Sequence, residues 1–99
     1  MPVVTVSRWK LNPNEAIQIA RDAAPLIKQQ GAQTVTFGRI QTGEHAGQVF
    51  IVCTYASYEE LGRAMDKQRQ DQQFQELYAR ALQAGELTAR NIVVIEELG

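Results

Sequence analysis

The chain has 99 residues, of which 44% are hydrophobic and 21% charged, and its formal net charge at pH 7 is −1. This length suits one domain, residues 1–99, with a single hydrophobic core that needs neither a disulfide nor a structural metal. A net charge so close to zero provides no bulk attraction for nucleic acid or for an anionic membrane, and we expect neither as a partner.

The sequence also predicts a cytoplasmic location. The first residues, Met-Pro-Val-Val, lead directly into a strand-like run, without the basic and then apolar pattern of a secretion signal. No apolar run approaches the roughly 20 residues that span a bilayer. Cys53 is the only cysteine, so no disulfide can form within the chain, and its apolar neighbours favour a buried, unreactive thiol.

The first half of the chain reads as a strand, a helix and two further strands. Asn12 followed by Pro13 is typical of a helix start, and Gly31 of a helix end. Pro25 lies inside this segment and should kink the helix or divide it near Ala24, because proline has no N–H to donate. The four strand-like runs of the whole chain are Val3–Val6, Val35–Ile40, Val49–Tyr55 and Ile92–Ile95.

The second helical segment begins with a predicted capping box, in which Ser57 and Glu60 satisfy each other's backbone N–H groups. Seven consecutive polar residues follow, from Lys67 to Gln73. Such a run cannot keep an apolar stripe against a core, so we expect a break near Asp71. The apolar pattern then resumes and ends at Gly85.

The order strand-helix-strand-strand-helix-strand predicts an α+β protein of the ferredoxin-like type. In this split β-α-β fold an antiparallel sheet has the strand order 4-1-3-2 and carries both helices on one face. The third and fourth strands do not alternate apolar and polar residues, which indicates that both of their faces are covered.

Two helices can cover only one face of that sheet. A second copy of the chain, packed face to face about a two-fold axis, is the economical cover for the other. We therefore predict a homodimer through the sheet faces. A monomer that leaves some apolar surface exposed is the alternative.

Common catalytic arrangements are missing from the sequence. His45 is the only histidine and has no second cysteine to help it, so we expect no metal site, and no serine lies on an elbow-like turn. The neighbouring carboxylates of Glu59 and Glu60, and of Glu96 and Glu97, point apart. No motif requires a cofactor, and none is expected.

A few aromatic and polar side chains near the strands remain as candidates for a pocket between helices and sheet. Trp9 shares its side of the first strand with Thr5 and Ser7, which mixes hydroxyls with an indole. Such side chains could line an apolar cavity with a few polar groups, although ordinary core packing would also explain them. The candidate ligand-binding residues are Trp9, Phe37, Arg39, Tyr55 and Tyr78.

The whole chain resembles the dimeric α/β-barrel superfamily, in particular antibiotic-biosynthesis monooxygenase-like and NIPSNAP-like small proteins. The resemblance lies in the element order, in the apolar strand Val49–Cys53, in the strand-to-helix junction Tyr55–Leu61 and in the stretch Met65–Phe74. It implies a homodimer whose two sheets form a shared barrel, with any ligand pocket between each sheet and its own helices.

Two functions follow from the residues and the resemblance together. The first is a non-catalytic or accessory homodimer whose cleft binds a small apolar molecule or nothing. The alternative is a cofactor-independent monooxygenase-like enzyme for a small aromatic or apolar substrate, with Trp9, Arg39 and Tyr55 as candidate residues. Relatives that degrade haem use an Asn, a Trp and a His together, and this chain has no histidine on its second helical segment.

Overall fold

The chain folds into a four-stranded sheet with three helices, in a computed structural model that describes residues 1–99. The strand order is β2-β3-β1-β4, and every neighbouring pair is antiparallel. This confirms the predicted ferredoxin-like fold and its order 4-1-3-2. The elements are β1 (Val3–Lys10), α1 (Pro13–Gln29), β2 (Thr34–Arg39), β3 (Val49–Tyr55), α2 (Tyr58–Gln70), α3 (Gln72–Ala84) and β4 (Glu86–Val94).

Strands β1 and β4 are longer than the apolar runs that indicate them. The apolar run that indicates β1 ends at Val6, whereas the strand continues to Lys10 and includes Trp9; the predicted start of β4 at Ile92 is wrong, since β4 begins at Glu86. The added residues are polar or mixed in character, but β1 pairs with strands on both sides along this stretch. Backbone hydrogen bonding therefore extends the strands beyond the apolar runs that mark them in the sequence.

Helix α1 begins as predicted, but Pro25 does not divide it. The Asn12 side chain accepts hydrogen bonds from the backbone N–H groups of Asn14 at 2.9 Å and Glu15 at 3.2 Å. The helix then runs unbroken to Gln29, and Pro25 lies on its exposed side. Burial of Ala23 and Ile27 against the sheet holds both sides of the proline in the helix, so packing overrides the lost hydrogen bond.

The predicted break near Asp71 is confirmed. Asp71 follows the last residue of α2 and is the N-cap of α3, where its Oδ1 accepts from the N–H of Phe74 at 3.0 Å. Its Oδ2 accepts from Nε2 of Gln30, which is buried at the end of α1, at 2.9 Å. One carboxylate thus connects all three helices.

Only half of the predicted capping box forms at the start of α2. Ser57 Oγ accepts from the backbone N–H of Glu60 at 3.2 Å. The carboxylate of Glu60 pairs instead with Arg63, one turn further along the exposed side of the helix. None of the three helices combines the length and apolar character needed to cross a membrane.

The two faces of the sheet differ in what covers them. On β1 the odd-numbered residues Val3 and Trp9 are buried in clusters with helix residues such as Ala23 and Ile19. The even-numbered residues point to the other side, away from the helices. We call this side the open face; by register with β1 it carries the apolar side chains of Val4, Val6, Phe50, Val52 and Val93.

Gly85 is required by a close approach between α3 and the end of β1. Its backbone is extended, so conformation alone would accept other residues. A Cβ atom at this position, however, would overlap the carbonyl oxygen of Lys10 and the Cβ atom of Leu11. Glycine therefore allows β4 to follow α3 directly.

We expect Gly85→Ala to lower the free energy of unfolding by about 2 kcal/mol, because backbone must shift to remove the overlap. Gly62→Ala is the matched control. Gly62 lies exposed in α2 with open space around it, so alanine should raise the free energy of unfolding by about 0.5–1 kcal/mol through its helix propensity. Urea denaturation of both variants measures the difference. Equal effects of the two substitutions would contradict the close approach.

Candidate functional site

A cavity of about 140 Å³ lies between the helices and the sheet. All four strands and all three helices contribute to its wall, and 17 of its 21 lining residues are hydrophobic. Four of the five residues singled out in the sequence line it: Trp9, Phe37, Tyr55 and Tyr78.

Arg39 is the fifth, and the structure places it outside the cavity. It ends β2 at the edge of the sheet, and its side chain is exposed. Its Nη2 atom lies 3.5 Å from Oδ1 of Asn14, at the start of α1. Phe37, two residues earlier on the same side of β2, does line the cavity; Arg39 ends the strand, and its guanidinium extends to the start of α1, where it stays in contact with solvent.

The cavity exists because the helices present small side chains to the sheet. Ala16, Ala20 and Ala23 of α1 face inward, and Ala81 of α3 does the same. A methyl group is too short to cross the gap to the strands, which a longer side chain would fill. Apolar space therefore remains between the helices and the sheet. A cavity of about 150 Å³ with apolar walls can hold one benzene molecule, whereas pockets for drug-sized ligands start near roughly 300 Å³. This cavity therefore fits a single ring.

Three aromatic rings form one wall of the cavity. Trp9 and Tyr78 meet edge to face, with ring centroids 5.8 Å apart and planes at 77°. Tyr78 also stacks on Phe74, with centroids 6.4 Å apart and planes at 23°. Contacts of this kind contribute about 0.5–1.5 kcal/mol each beyond the area they bury, so they stabilise this arrangement of the three rings.

Four polar residues line the cavity besides the apolar ones: Thr5, Ser7, Gln68 and Arg90. The alternation of side chains along β1 predicts that Thr5 and Ser7 lie on the same side as Trp9, as they do. Gln68 was not predicted as a cavity residue, because it lies within the uniformly polar run from Lys67 to Gln73. Arg90 was not predicted as a cavity residue, because β4 was predicted to begin two residues later, at Ile92. The only signal in the sequence is that Arg90 lies two residues before Ile92, and therefore on the same side of the strand.

Two titratable side chains that line the cavity, Cys53 and Tyr55, are uncharged at neutral pH. Burial raises the pKa of the Cys53 thiol, although Thr5 and Arg90 act to lower it. Burial, with a further contribution from Cys53, raises the pKa of Tyr55 from 10.0 to about 12, while Gln68 and Arg90 act in the opposite direction. No carboxylate and no histidine lines the cavity. The cavity wall therefore holds no group that could accept a proton readily at pH 7.

Comparison with known proteins identifies the family. Residues 3–95 match the family described as Domain of unknown function (DUF6854). The chain belongs to the DUF6854 family. No curated protein matches the sequence of this DUF6854 member.

Solved structures show how widely this fold occurs. A NIPSNAP family protein from Agrobacterium tumefaciens superposes with a TM-score of 0.77 at 17% identity, over 99% of this chain and 89% of that one. A variant of SnoaB, a cofactor-independent oxygenase from Streptomyces nogalater, gives a TM-score of 0.76 at 13% identity, over 98% and 95%. At such low identity these similarities establish the fold of the DUF6854 protein, in agreement with the resemblance found in its sequence.

Burial of Tyr55 predicts a loss of stability in alkaline solution. The phenol of the unfolded chain ionises near pH 10 and that of the folded chain near pH 12, so the folded state binds the proton more tightly. The free energy of unfolding should therefore be independent of this group below pH 10 and fall by about 1.4 kcal/mol per pH unit between pH 10 and 12.

We expect Tyr55→Phe to make this alkaline slope shallower, as measured by urea denaturation at a series of pH values. Tyr58→Phe is the control, because that ring is 58% exposed. The same slope in wild type and Tyr55→Phe would contradict the burial of the phenol.

Proposed function

We propose that this DUF6854 protein is a non-catalytic homodimer that binds one small apolar molecule in the cavity of each chain. The cavity itself supports the proposal: it is apolar, fits one ring and has an aromatic wall. Trp9, Phe37, Tyr55 and Tyr78 would contact the ligand. Arg39 lies outside the cavity and has no part in the proposed site.

The chemistry of the wall favours binding over catalysis. A general base is most effective when its pKa lies near the operating pH. Cys53 and Tyr55 hold their protons well above neutral pH, and His45 lies in the β2–β3 connection, away from the cavity lining. A ligand in this cavity would meet hydrogen-bond donors and apolar surface, but no side chain ready to take its proton.

The open face supports the homodimer. Its apolar side chains have no helix over them, and among them Val93, near the end of β4, is 41% exposed. β4 is also an edge strand of the sheet, where an exposed apolar strand is a common site of association. A second copy of the chain would bury these surfaces together.

A cofactor-independent oxygenase is the second candidate function, because the fold matches that of SnoaB and Arg90 could stabilise an ionised phenol. Oxygen-electrode measurements with single-ring phenols distinguish the two functions. Oxygen uptake that increases in proportion to the protein concentration would favour the oxygenase. Uptake equal to that of buffer alone would favour the binding protein.

Ligand binding can be followed through Trp9, which is the only tryptophan and lies in the cavity wall. We expect toluene to change its fluorescence saturably. Ala20→Leu should abolish this change, because the longer side chain occupies the cavity. Ala79→Leu, which adds the same atoms on the exposed side of α3, should leave it intact. A linear, unsaturable response in the wild type would contradict the proposed cavity ligand.

The dimer can be tested on two neighbouring residues of β3 that point to opposite sides. Val52 lies on the open face, and Ile51 lines the cavity. Light scattering should give twice the 11.1 kDa chain mass for the wild type and the chain mass itself for Val52→Asp, which should remain folded.

Ile51→Asp is the matched comparison, because it should lower the free energy of unfolding by about 3 kcal/mol or more through a buried charge. A wild-type monomer, or a Val52→Asp variant that remains a dimer, would contradict the proposed interface.

A further inference from the structure

We infer that the ligand of the cavity is a monoanion, an aromatic or short-chain carboxylate whose apolar part fills the cavity and whose carboxylate lies beside Arg90. This inference rests on the proposed function and names the chemical class of its ligand. It depends on where the single charged side chain of the cavity wall lies and on which groups surround it.

Arg90 is the only charged residue among those that line the cavity. It lies on β4, in register with Ser7 of β1, on the side of the sheet that meets the helices. None of the five ion pairs in the structure involves it. The cavity therefore has a positive charge at its wall and no negative charge to balance it.

The positive charge acts on the interior of the cavity. Arg90 opposes the effect of burial on the pKa of both Cys53 and Tyr55, which means that its field favours negative charge at those two positions. An anion that lies closer to the guanidinium than these two side chains do would be stabilised more strongly by its positive charge. The same field disfavours a cationic ligand.

The geometry also suits a carboxylate rather than a larger or more highly charged group. A guanidinium presents two parallel N–H donors that match the two oxygens of a carboxylate. The Ser7 hydroxyl lines the cavity on the neighbouring strand and could donate a further hydrogen bond. Because the Arg90 side chain is exposed, the bound carboxylate would keep part of its hydration while the ring enters the apolar space. One cation balances one negative charge, so a monoanion fits best.

Benzoate and benzamide test this inference, since they have nearly the same shape and differ in charge. We expect the wild type to bind benzoate about fivefold more tightly than benzamide, which is the difference that one partly exposed, charge-assisted contact provides. Binding is measured by Trp9 fluorescence. Arg90→Gln should abolish this preference, because benzoate loses the charge-assisted contact that benzamide never has. Arg21→Gln, which removes the same charge from an exposed position on α1, should retain it.

Equal binding of benzoate and benzamide by the wild type, or a preference that survives in Arg90→Gln, would overturn the inference. If toluene still binds in either case, the proposed cavity function stands and only the charge of the ligand is wrong. If none of the three probes binds, both proposals fail. Should Arg90→Gln not fold, added sodium chloride gives the same test in the wild type: it should weaken benzoate binding and leave benzamide binding unchanged.

Discussion

The position of β1 in the middle of the sheet governs the rest of the structure. It pairs with β3 on one side and β4 on the other, so its backbone is held along its whole length and its side chains must alternate between two faces. Trp9 lies on the side that the helices cover, together with the cavity. Val4 and Val6 lie on the open face. The proposed ligand site and the proposed dimer interface are thus separated by a shift of one residue along the same strand.

The cavity is the feature that packing alone explains least well. Interiors of proteins are usually filled to the density of organic crystals, and unfilled apolar space loses dispersion contacts. Here the alanines of α1 leave about 140 Å³ beneath the helices, although leucine would suit the helix equally well. The rings of Trp9, Tyr78 and Phe74, which contact one another, form one wall. A small ligand would restore the contacts that the short side chains leave out.

The sequence predicted the fold well because its signals are local or periodic. Apolar runs indicated the strands, and the polar run around Asp71 indicated the break between α2 and α3. Pro25 does not divide α1, one of the two effects expected of it, since tertiary packing on either side keeps the helix continuous. Arg90 could not be identified, because it belongs to a part of β4 that pairs through backbone and has little apolar character. Likewise, the separation of Arg39 from the cavity depends on the direction its long side chain takes at the end of β2, toward Asn14, which no local pattern encodes.

The most direct test of the account is a crystal structure determined under xenon pressure, because xenon enters apolar cavities that water leaves empty. We expect a xenon atom between the sheet and α1, near Trp9 and Ala20, with the lining side chains unmoved. Side chains that close the space, with no xenon peak between helices and sheet, would show that the layers pack without a cavity and would contradict the proposed binding function.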